Sequence, residues 1–369
     1  MKGRRPRPLD DGDSGEVRVS GHLSWAKPIG SKRVFCLTQS ATIAYMSIIS
    51  NCTASAIKDA ATSLINGNLV AFPTETVYGL GADATNKDAI ARIYKAKGRP
   101  SDHPLIVHIS SIEQLDNWAR DIPEYAMKLA RSFWPGPMTL ILSRTKLAKD
   151  FITGGQDNVG LRIPEHDVAL ALLKEFEVQG GFGVAAPSAN KFGKVSPTSA
   201  QDVITEIGDQ LLDVDQVLEG GASQFGIEST IIDCTNEFPI ILRPGAITFE
   251  MIKSLLPDEI RNEPLSDNQL KVPGMLKSHY KPNAKVFLTG KAKSGDGFIA
   301  LESKATPSGV IRLASPSSNL EFAQILYKAL RLADSKRIKN VFIVAPEGED
   351  IAIAIRDRLE KCATKTNYE

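Results

Sequence analysis

The chain has 369 residues, of which 42% are hydrophobic and 24% are charged. This composition is ordinary for a globular protein and excludes a collagen-like, mucin-like or wholly disordered chain. Lysine and arginine total 44 against 43 aspartate and glutamate, a net charge of +1. So small a charge provides no overall basic surface for nucleic acid. The length predicts two domains, each large enough to bury a core.

The cysteine and histidine patterns favour a reducing compartment and argue against a metal centre. The sequence contains no C-x-x-C pair and no H-x-x-x-H pair, so we expect neither a disulfide scaffold nor a metal site built from protein ligands alone. No apolar run approaches the roughly 18 residues that a membrane helix needs. We therefore expect a cytoplasmic protein that makes no membrane contact.

Residues 1–50 differ in composition from the rest of the chain and are predicted to form a disordered leader. The segment is basic, is interrupted by proline and glycine, and lacks hydrophobic periodicity. The alternative is an organelle-targeting signal in residues 1–45. Asp10, Asp11, Asp13 and Glu16 argue against that alternative, because transit peptides are poor in acidic residues.

Residues 51–247 alternate between helical and strand patterns, which predicts an α/β domain with a mixed, largely buried sheet. Helices are predicted around 57–64, after the capping residue Asn86, and after Pro123. The predicted strands are Leu69–Phe72, Leu105–Ile109, Met138–Leu142, Val159–Arg162, Gly183–Ala186 and Thr230–Asp233.

Polar and cationic residues cluster where these elements end. Thr74 and Thr76 follow the first strand, in a loop that either orients a small polar substrate or is a plain Pro/Gly turn. Lys97 and Arg99 end a helix. They either complement the helix dipole or, turned by Gly98, bind a polyphosphate. His108 lies on the next strand, as a core residue or as a group that exchanges a proton.

Two later turns carry similar chemistry. Residues 186–190 form a small, hydroxyl-containing turn that either approaches a phosphate or is a generic turn. Arg243, held between a strand and Pro244, is a plausible phosphate ligand or a surface residue. The chain has no P-loop, no G-x-G-x-x-G and no G-x-S-x-G. Spacing alone therefore supports an anion-binding α/β domain and little more.

Taken together, the motifs resemble the YrdC-like family in order and spacing, across most of residues 53–247. The matching segments are Phe72–Gly81, Lys97–Pro100, Pro104–His108, Trp134–Thr139, Leu161–Pro164, Ala186–Asn190, Ser229–Ile231 and Leu242–Gly245. The tail resembles the longer, two-domain type, in which a His-Tyr-x-Pro element, here His279–Pro282, precedes a small Rossmann-like domain.

The resemblance implies a twisted mixed sheet with flanking helices, and a defined reaction. Members of this family make threonylcarbamoyl-adenylate from L-threonine, bicarbonate and ATP, releasing pyrophosphate. A tRNA-modifying complex then transfers the threonylcarbamoyl group to an adenosine beside the anticodon. The resemblance also implies Mg²⁺ accompanying the triphosphate. The reaction depends on positioning and charge neutralisation more than on a covalent nucleophile.

The resemblance also assigns site residues. Lys97 and Arg99 are the expected catalytic cations. The residues expected to contact L-threonine are Thr76, His108, Arg162, Ala186 and Ser229. The residues expected to contact ATP are Arg99, His103, Asn158, Ser188, Asn190, Ser196, Arg243 and Tyr280. His103 departs from the asparagine more usual at its position.

The remainder of the chain is predicted to form a linker and a second domain. Residues 248–283 lose periodicity and are rich in proline, which predicts either a passive linker or a lid whose Tyr280 reaches the nucleotide. Residues 284–369 are predicted to form a small Rossmann-like, three-layer α/β domain. Its expected strands are Lys285–Leu288, Gly309–Leu313 and Asn340–Ala345, with helices around 322–330 and 351–359.

Two other functions compete with the synthase. One is an RNA-binding, translation-associated module without turnover that contacts tRNA or double-stranded RNA. The near-neutral charge and the lack of stacked aromatic residues weigh against it. The other is a carbamoyl-transfer domain of a hydrogenase-maturation protein. Those proteins usually carry cysteine-rich fingers, which this chain lacks.

Overall fold

In the computed structural model, residues 49–258, 260, 270–274 and 279–364 are described. The predicted leader lies almost wholly outside this part of the chain. The strands of the first domain are β1 Ile49–Asn51, β2 Val70–Phe72, β3 Gly79–Asp83, β4 Ile106–His108, β5 Met138–Ser143, β6 Asn158–Arg162, β7 Val184–Ala185, β8 Gln216–Glu219, β9 Thr230–Asp233 and β10 Ile240–Arg243. They form one mixed sheet in the order β1-β8-β2-β3-β7-β4-β6-β5-β9-β10.

Helices cover this sheet. They are α1 Ala54–Ile65, α2 Lys87–Lys97, α3 Leu115–Trp118, α4 Glu124–Phe133, α5 Asp150–Thr153, α6 Asp167–Val178, α7 Ala200–Ile207 and α8 Phe249–Leu255. One apolar cluster includes Trp118, Leu129 and Leu161, and a second includes Leu64, Phe72 and Phe176. The α/β class predicted from the sequence is confirmed. Helix α8 lies inside the segment predicted as a linker, and its Ile252 is buried in the first cluster.

The second domain has a parallel sheet in the order β11-β14-β12-β13. Its elements are β11 Lys285–Phe287, β12 Gly297–Ile299, β13 Ile311–Ala314, α9 Asn319–Ser335, β14 Asn340–Ile343 and α10 Ala352–Cys362. The predicted helices and three of these strands are present, with β13 shifted by two residues. The predictions did not include β12, a three-residue strand that follows a Gly-containing turn. Among the helices of the described residues, none is long and apolar enough to span a membrane.

The two domains share a hydrophobic core. Val77, Val195 and Ile227 of the first domain pack in the same cluster as Phe322 and Ile355 of the second. This contact places the second domain against the loop that precedes β9, which is where one of the predicted substrate residues, Ser229, lies.

We expect Gly226→Ala to destabilise the domain interface. A Cβ at this position would lie 2.6 Å from the Gln324 Cα and 2.7 Å from the Ala323 carbonyl oxygen, both of which are helix backbone atoms that cannot rotate away. The residue also has φ +69°, which disfavours a side chain. The free energy of unfolding, measured by urea denaturation, should fall by about 3 kcal/mol.

Gly221→Ala is the matched control for this substitution. Gly221 has φ +79° but open space around its Cβ position, so only the backbone cost of about 1 kcal/mol applies. Equal losses in the two variants would contradict the close interdomain packing at Gly226.

Candidate active site

The predicted site residues come together because several strands end at the same cavity. Thr74 and Thr76 lie in the loop between β2 and β3, and residues 186–190 follow β7 directly. His108 ends β4 and Arg162 ends β6. These strands are parallel neighbours, and their register sets His108 opposite Arg162. All these groups therefore line one hollow at the edge of the sheet.

Helix α2 delivers the two predicted catalytic cations. The Asn86 side chain caps its first turn by accepting hydrogen bonds from the amides of Asp88 and Ala89. The helix ends at Gly98 in the left-handed conformation, which turns the chain between Lys97 and Arg99. Both cations are buried and line the cavity.

Lys97 fixes the turn that carries Ser188 and Asn190. Its ammonium group donates hydrogen bonds to the carbonyl oxygens of both residues. Burial, followed by repulsion from Arg99, lowers the pKa of Lys97 well below its usual value. Because a bound phosphate would favour the charged form of this amine, the site is arranged to gain from an anionic ligand.

Arg99 and Arg162 are each held by contacts that leave the Nε atom without a hydrogen-bond partner. Arg99 donates to the Pro104 carbonyl oxygen at 2.8 Å, and its guanidinium lies 5.6 Å from the centre of the Phe192 ring. Burial lowers its pKa to about 10, so it remains protonated at neutral pH. Arg162 donates to Thr76 Oγ1 at 2.8 Å and forms an ion pair of the same length with Glu75.

Arg243 and Ser229 form the opposite wall. The backbone register shifts between Ile241 and Arg243 at the end of β10, the kind of irregularity that re-aims a side chain. Arg243 donates to the Ser229 carbonyl oxygen at 3.0 Å, to Ser229 Oγ at 3.1 Å and to the Pro273 carbonyl oxygen at 2.9 Å. The Ser229 hydroxyl also bonds to Thr139 Oγ1 at 2.8 Å.

Buried polar atoms without hydrogen-bond partners concentrate in this cavity. Native proteins seldom leave such atoms unpaired away from a ligand site. The cavity-lining atoms of this kind are Arg99 Nε, His108 Nδ1, Arg162 Nε, Asn190 Oδ1, His279 Nδ1 and the Tyr280 hydroxyl. Four lysine and arginine side chains line the cavity, and Glu228 is the one carboxylate among its described lining residues. The arrangement suits an anionic ligand with both donors and acceptors.

The segment before the second domain closes the cavity. Pro273, Gly274, His279 and Tyr280 line it. Tyr280 is 1% exposed, and its ring lies 5.9 Å from the Tyr327 ring in a stacked arrangement. The free volume is only about 60 Å³. Pockets for drug-sized ligands usually have about 300–1,000 Å³.

Three predicted site residues do not line this cavity. Ser196 is fully buried and donates to Glu228 Oε1 at 2.6 Å. His103 is half-buried, and its ring makes a T-shaped contact with the Phe192 ring. Phe192 lines the cavity, whereas His103 does not. Asn158 is the first residue of β6 and Arg162 is the last, so the two side chains lie at opposite ends of this strand. The other predicted residues, Ala186 included, line the cavity.

Sequence reasoning assigned no role to Glu75 or Glu228. Glu75 is 1% exposed and pairs with Arg162, so it orients that guanidinium. Its position between Thr74 and Thr76, two residues that had been considered for the site, could have indicated a role for Glu75. Glu228 lines the cavity and precedes Ser229 directly. Among the described residues, no group of three or more His, Cys, Asp or Glu side chains is placed to hold a metal ion.

Comparisons with known proteins agree with this geometry. The profile of the Sua5–YciO–YrdC family, described as telomere recombination, matches residues 62–245. The profile described as threonylcarbamoyl-AMP synthase, C-terminal domain, matches residues 247–364. The threonylcarbamoyl-AMP synthase of Pyrococcus abyssi is 39% identical over 326 residues, covering 83% of this chain and 94% of that protein. The Bacillus subtilis enzyme of the same name is 39% identical over 329 residues, covering 83% and 92%.

The overall structure gives the same result. The crystal structure of P. abyssi Sua5 complexed with L-threonine matches with a TM-score of 0.77 and 38% identity, covering 86% of this chain and 97% of that one. The fold and cavity define a YrdC-like, anion-binding α/β protein with an added C-terminal domain. The chain belongs to the threonylcarbamoyl-AMP synthase family, and the resemblance seen in the sequence is confirmed.

We expect the His108→Gln variant to lose less folding stability than the wild type when the pH falls from 7 to 5. Burial, with Arg162 beside it, lowers the pKa of His108 from 6.5 to about 3. Between these values the unfolded chain binds more protons than the folded chain, so folding stability falls as the pH falls. This one histidine should cost about 2 kcal/mol between pH 7 and pH 5.

Urea denaturation of the wild type and the variant at pH 7 and pH 5 measures the difference. The fall in the free energy of unfolding should be smaller in the variant by about that amount. His279, whose pKa burial also lowers to about 3, supplies part of the fall that remains. An identical pH dependence in the two proteins would contradict the buried, neutral state of His108.

Proposed function

We propose that this protein makes L-threonylcarbamoyl-adenylate from L-threonine, bicarbonate or CO2, and ATP, releasing pyrophosphate. The observation that carries the proposal is the single cavity in which buried cations and unpaired polar atoms converge. L-Threonine bears a carboxylate, and ATP and bicarbonate are anions, so these substrates require both kinds of group. The family of the chain is named for the same product.

We assign the binding site of L-threonine to a wall of the cavity formed by Thr76, His108, Arg162 and Ser229. Arg162, oriented by Glu75, offers a guanidinium to the amino acid carboxylate. The unpaired Nδ1 of neutral His108 is available to hydrogen bond to the threonine. Ala186 lines the same cavity.

The ATP phosphates are placed beside Arg99, Arg243 and the turn of Ser188 and Asn190. Arg99 and Arg243 neutralise phosphate charge, and Lys97 holds the turn through its two carbonyl contacts. Mg²⁺ enters with the triphosphate as part of the substrate, because the described cavity offers only one carboxylate and that group is already paired.

The reaction then depends on how the cavity holds the three substrates relative to one another. The threonine ammonium group loses a proton to solvent, and the free amine then attacks the carbon of CO2 or bicarbonate to give a carbamate. With CO2 the nitrogen releases a second proton, and with bicarbonate a molecule of water is expelled. A carbamate oxygen attacks the α-phosphorus of ATP, the bond from that phosphorus to the bridging oxygen breaks, and pyrophosphate leaves. The cations stabilise charge as it shifts to the leaving group. Exclusion of water protects the carbamate, which is short-lived in solution.

We assign the closing of the cavity to the segment around His279 and Tyr280. The free volume of about 60 Å³ is too small for a nucleotide, so this cover must move outward to admit ATP. The Tyr280 hydroxyl is buried without a partner and is therefore available to a ligand. Met275–Ser278 lie outside the described residues.

The product is proposed to pass to a tRNA-modifying complex that transfers the threonylcarbamoyl group. A cytoplasmic location is part of the same proposal. Cys52, Cys234 and Cys362 are free thiols, as suits a reducing compartment.

Threonine-dependent release of pyrophosphate from ATP, with bicarbonate and Mg²⁺ present, is the direct test. Arg99→Ala should lower kcat/KM by about 10²–10³-fold, because a buried charge on the phosphates is lost. Lys95→Ala is the matched control, since Lys95 is an exposed cation in the last turn of helix α2, four residues before Arg99. Wild-type turnover in a folded Arg99→Ala protein would refute the phosphate role.

Tyr280→Ala tests the cover. Without the ring, water reaches the carbamate, so synthesis should fall by at least about tenfold while the cavity remains assembled. Tyr280→Phe separates the hydroxyl from the ring and should retain the exclusion of water. The lid role fails if Tyr280→Ala leaves both ATP affinity and turnover as in the wild type.

A further inference from the structure

A buried carboxylate in the wall of the cavity has its partners in the other domain. Glu228 is 7% exposed and lines the cavity beside Ser229. A carboxylate at this position repels a triphosphate unless its charge is compensated. The groups that compensate Glu228 therefore bear directly on nucleotide binding.

Two residues of the C-terminal domain supply most of that compensation. Arg358, on α10, donates from Nε to Glu228 Oε2 at 2.9 Å and is 0% exposed. Tyr327, on α9, donates its hydroxyl to the same oxygen at 2.9 Å. From the catalytic domain, Ser196 donates to Oε1 at 2.6 Å. The carboxylate is thus fully engaged, and the cation that forms an ion pair with it among the described residues, Arg358, comes from the C-terminal domain.

Arg358 is the cation that pairs directly with Glu228. Burial alone would raise the pKa of Glu228, but Arg358 and Arg243, with the Ser196 hydroxyl, lower it to about 2. Arg358 also pairs with Asp357 at 2.6 Å, and Asp357 pairs with Lys361 at 2.8 Å. Without Arg358, the cavity residue Arg243 would be left as the one of these two arginines that interacts with the Glu228 charge.

Arg243 is the group most affected. Its donors now reach Ser229 and Pro273, and the contact to the Pro273 carbonyl belongs to the cover that must move. An uncompensated carboxylate nearby would attract this guanidinium away from the phosphates. Arg358 prevents that competition by pairing with Glu228 at Oε2.

We propose that the C-terminal domain tunes the charge of the catalytic cavity. Arg358 neutralises Glu228, the one carboxylate among the described cavity-lining residues, and so leaves Arg243 free to bind the phosphates of ATP. Arg358 is a positioning residue here, since it acts through Glu228 and does not touch the nucleotide. The inference rests on the proposed ATP-dependent function.

A double-mutant cycle in the full-length protein tests this charge coupling. ATP affinity is measured by calorimetry with Mg²⁺, and the KM for ATP by pyrophosphate release. Arg358→Met should weaken ATP binding at least tenfold. In a chain that also carries Glu228→Gln, the same substitution should cost less than threefold, because there is no longer a charge to neutralise.

Equal losses with and without Glu228→Gln would overturn the inference, as would wild-type affinity in Arg358→Met. If Arg358→Met does not fold, Arg358→Gln also removes the charge and keeps polar atoms at the site. A role confined to domain docking would give equal losses in the two arms, whereas charge coupling gives unequal ones.

Arg331→Met is the matched interface control. Arg331 lies on α9, pairs across the same domain interface with Glu206 at 2.6 Å and donates to the Val195 carbonyl oxygen, and neither of these groups is a hydrogen-bond partner of Glu228. Its loss should leave ATP affinity unchanged, and a loss as large as that of Arg358→Met would overturn the inference. Threonine-dependent turnover of the wild type separately tests the proposed function, while calorimetry reports on Arg358 even without turnover.

Discussion

The burial of several cations in one hollow is the constraint on which the rest of this structure depends. Lys97, Arg99, Arg162 and Arg243 are each less than 9% exposed, and like charges repel strongly where water is scarce. The protein offsets part of this cost with carbonyl oxygens from Pro104, the 188–190 turn and Ser229, and with the carboxylate of Glu75. Binding of an anionic substrate offsets the remainder of this cost, so the cavity favours such a ligand.

The sheet and the domain interface both serve this arrangement. Parallel pairing of β4 with β6 sets His108 opposite Arg162, and the loops after β2 and β7 bring hydroxyls to the same edge. The C-terminal domain then packs on the loop before β9 through a shared apolar core. That contact lets Arg358 reach Glu228, and it lets Tyr327 support Tyr280. Through Arg358, the C-terminal domain thereby acts on the electrostatics of the cavity.

Sequence reasoning succeeded where local chemistry fixes the backbone. Asn86 and Gly98 bound helix α2 because a side-chain cap and a left-handed residue act within a single turn. It failed for β3, whose two glycines have low strand propensity. This strand exists because β2 and β7 pair with it on either side. Helix α8 was missed for a similar reason, since burial of Ile252 against the core stabilises a short helix in a proline-rich segment.

The sequence by itself determined the α/β class, the family and half of the residues that line the cavity, because these depend on short motifs and on hydrophobic periodicity. Only the tertiary structure decided that Ser196 donates its hydroxyl to Glu228 and does not line the cavity. It also decided that the cation paired with Glu228 is Arg358, which lies 130 positions further along the chain. No local pattern specifies such a pair. It forms because burial removes water from a carboxylate, and the fold brings a guanidinium to the place where that charge must be compensated.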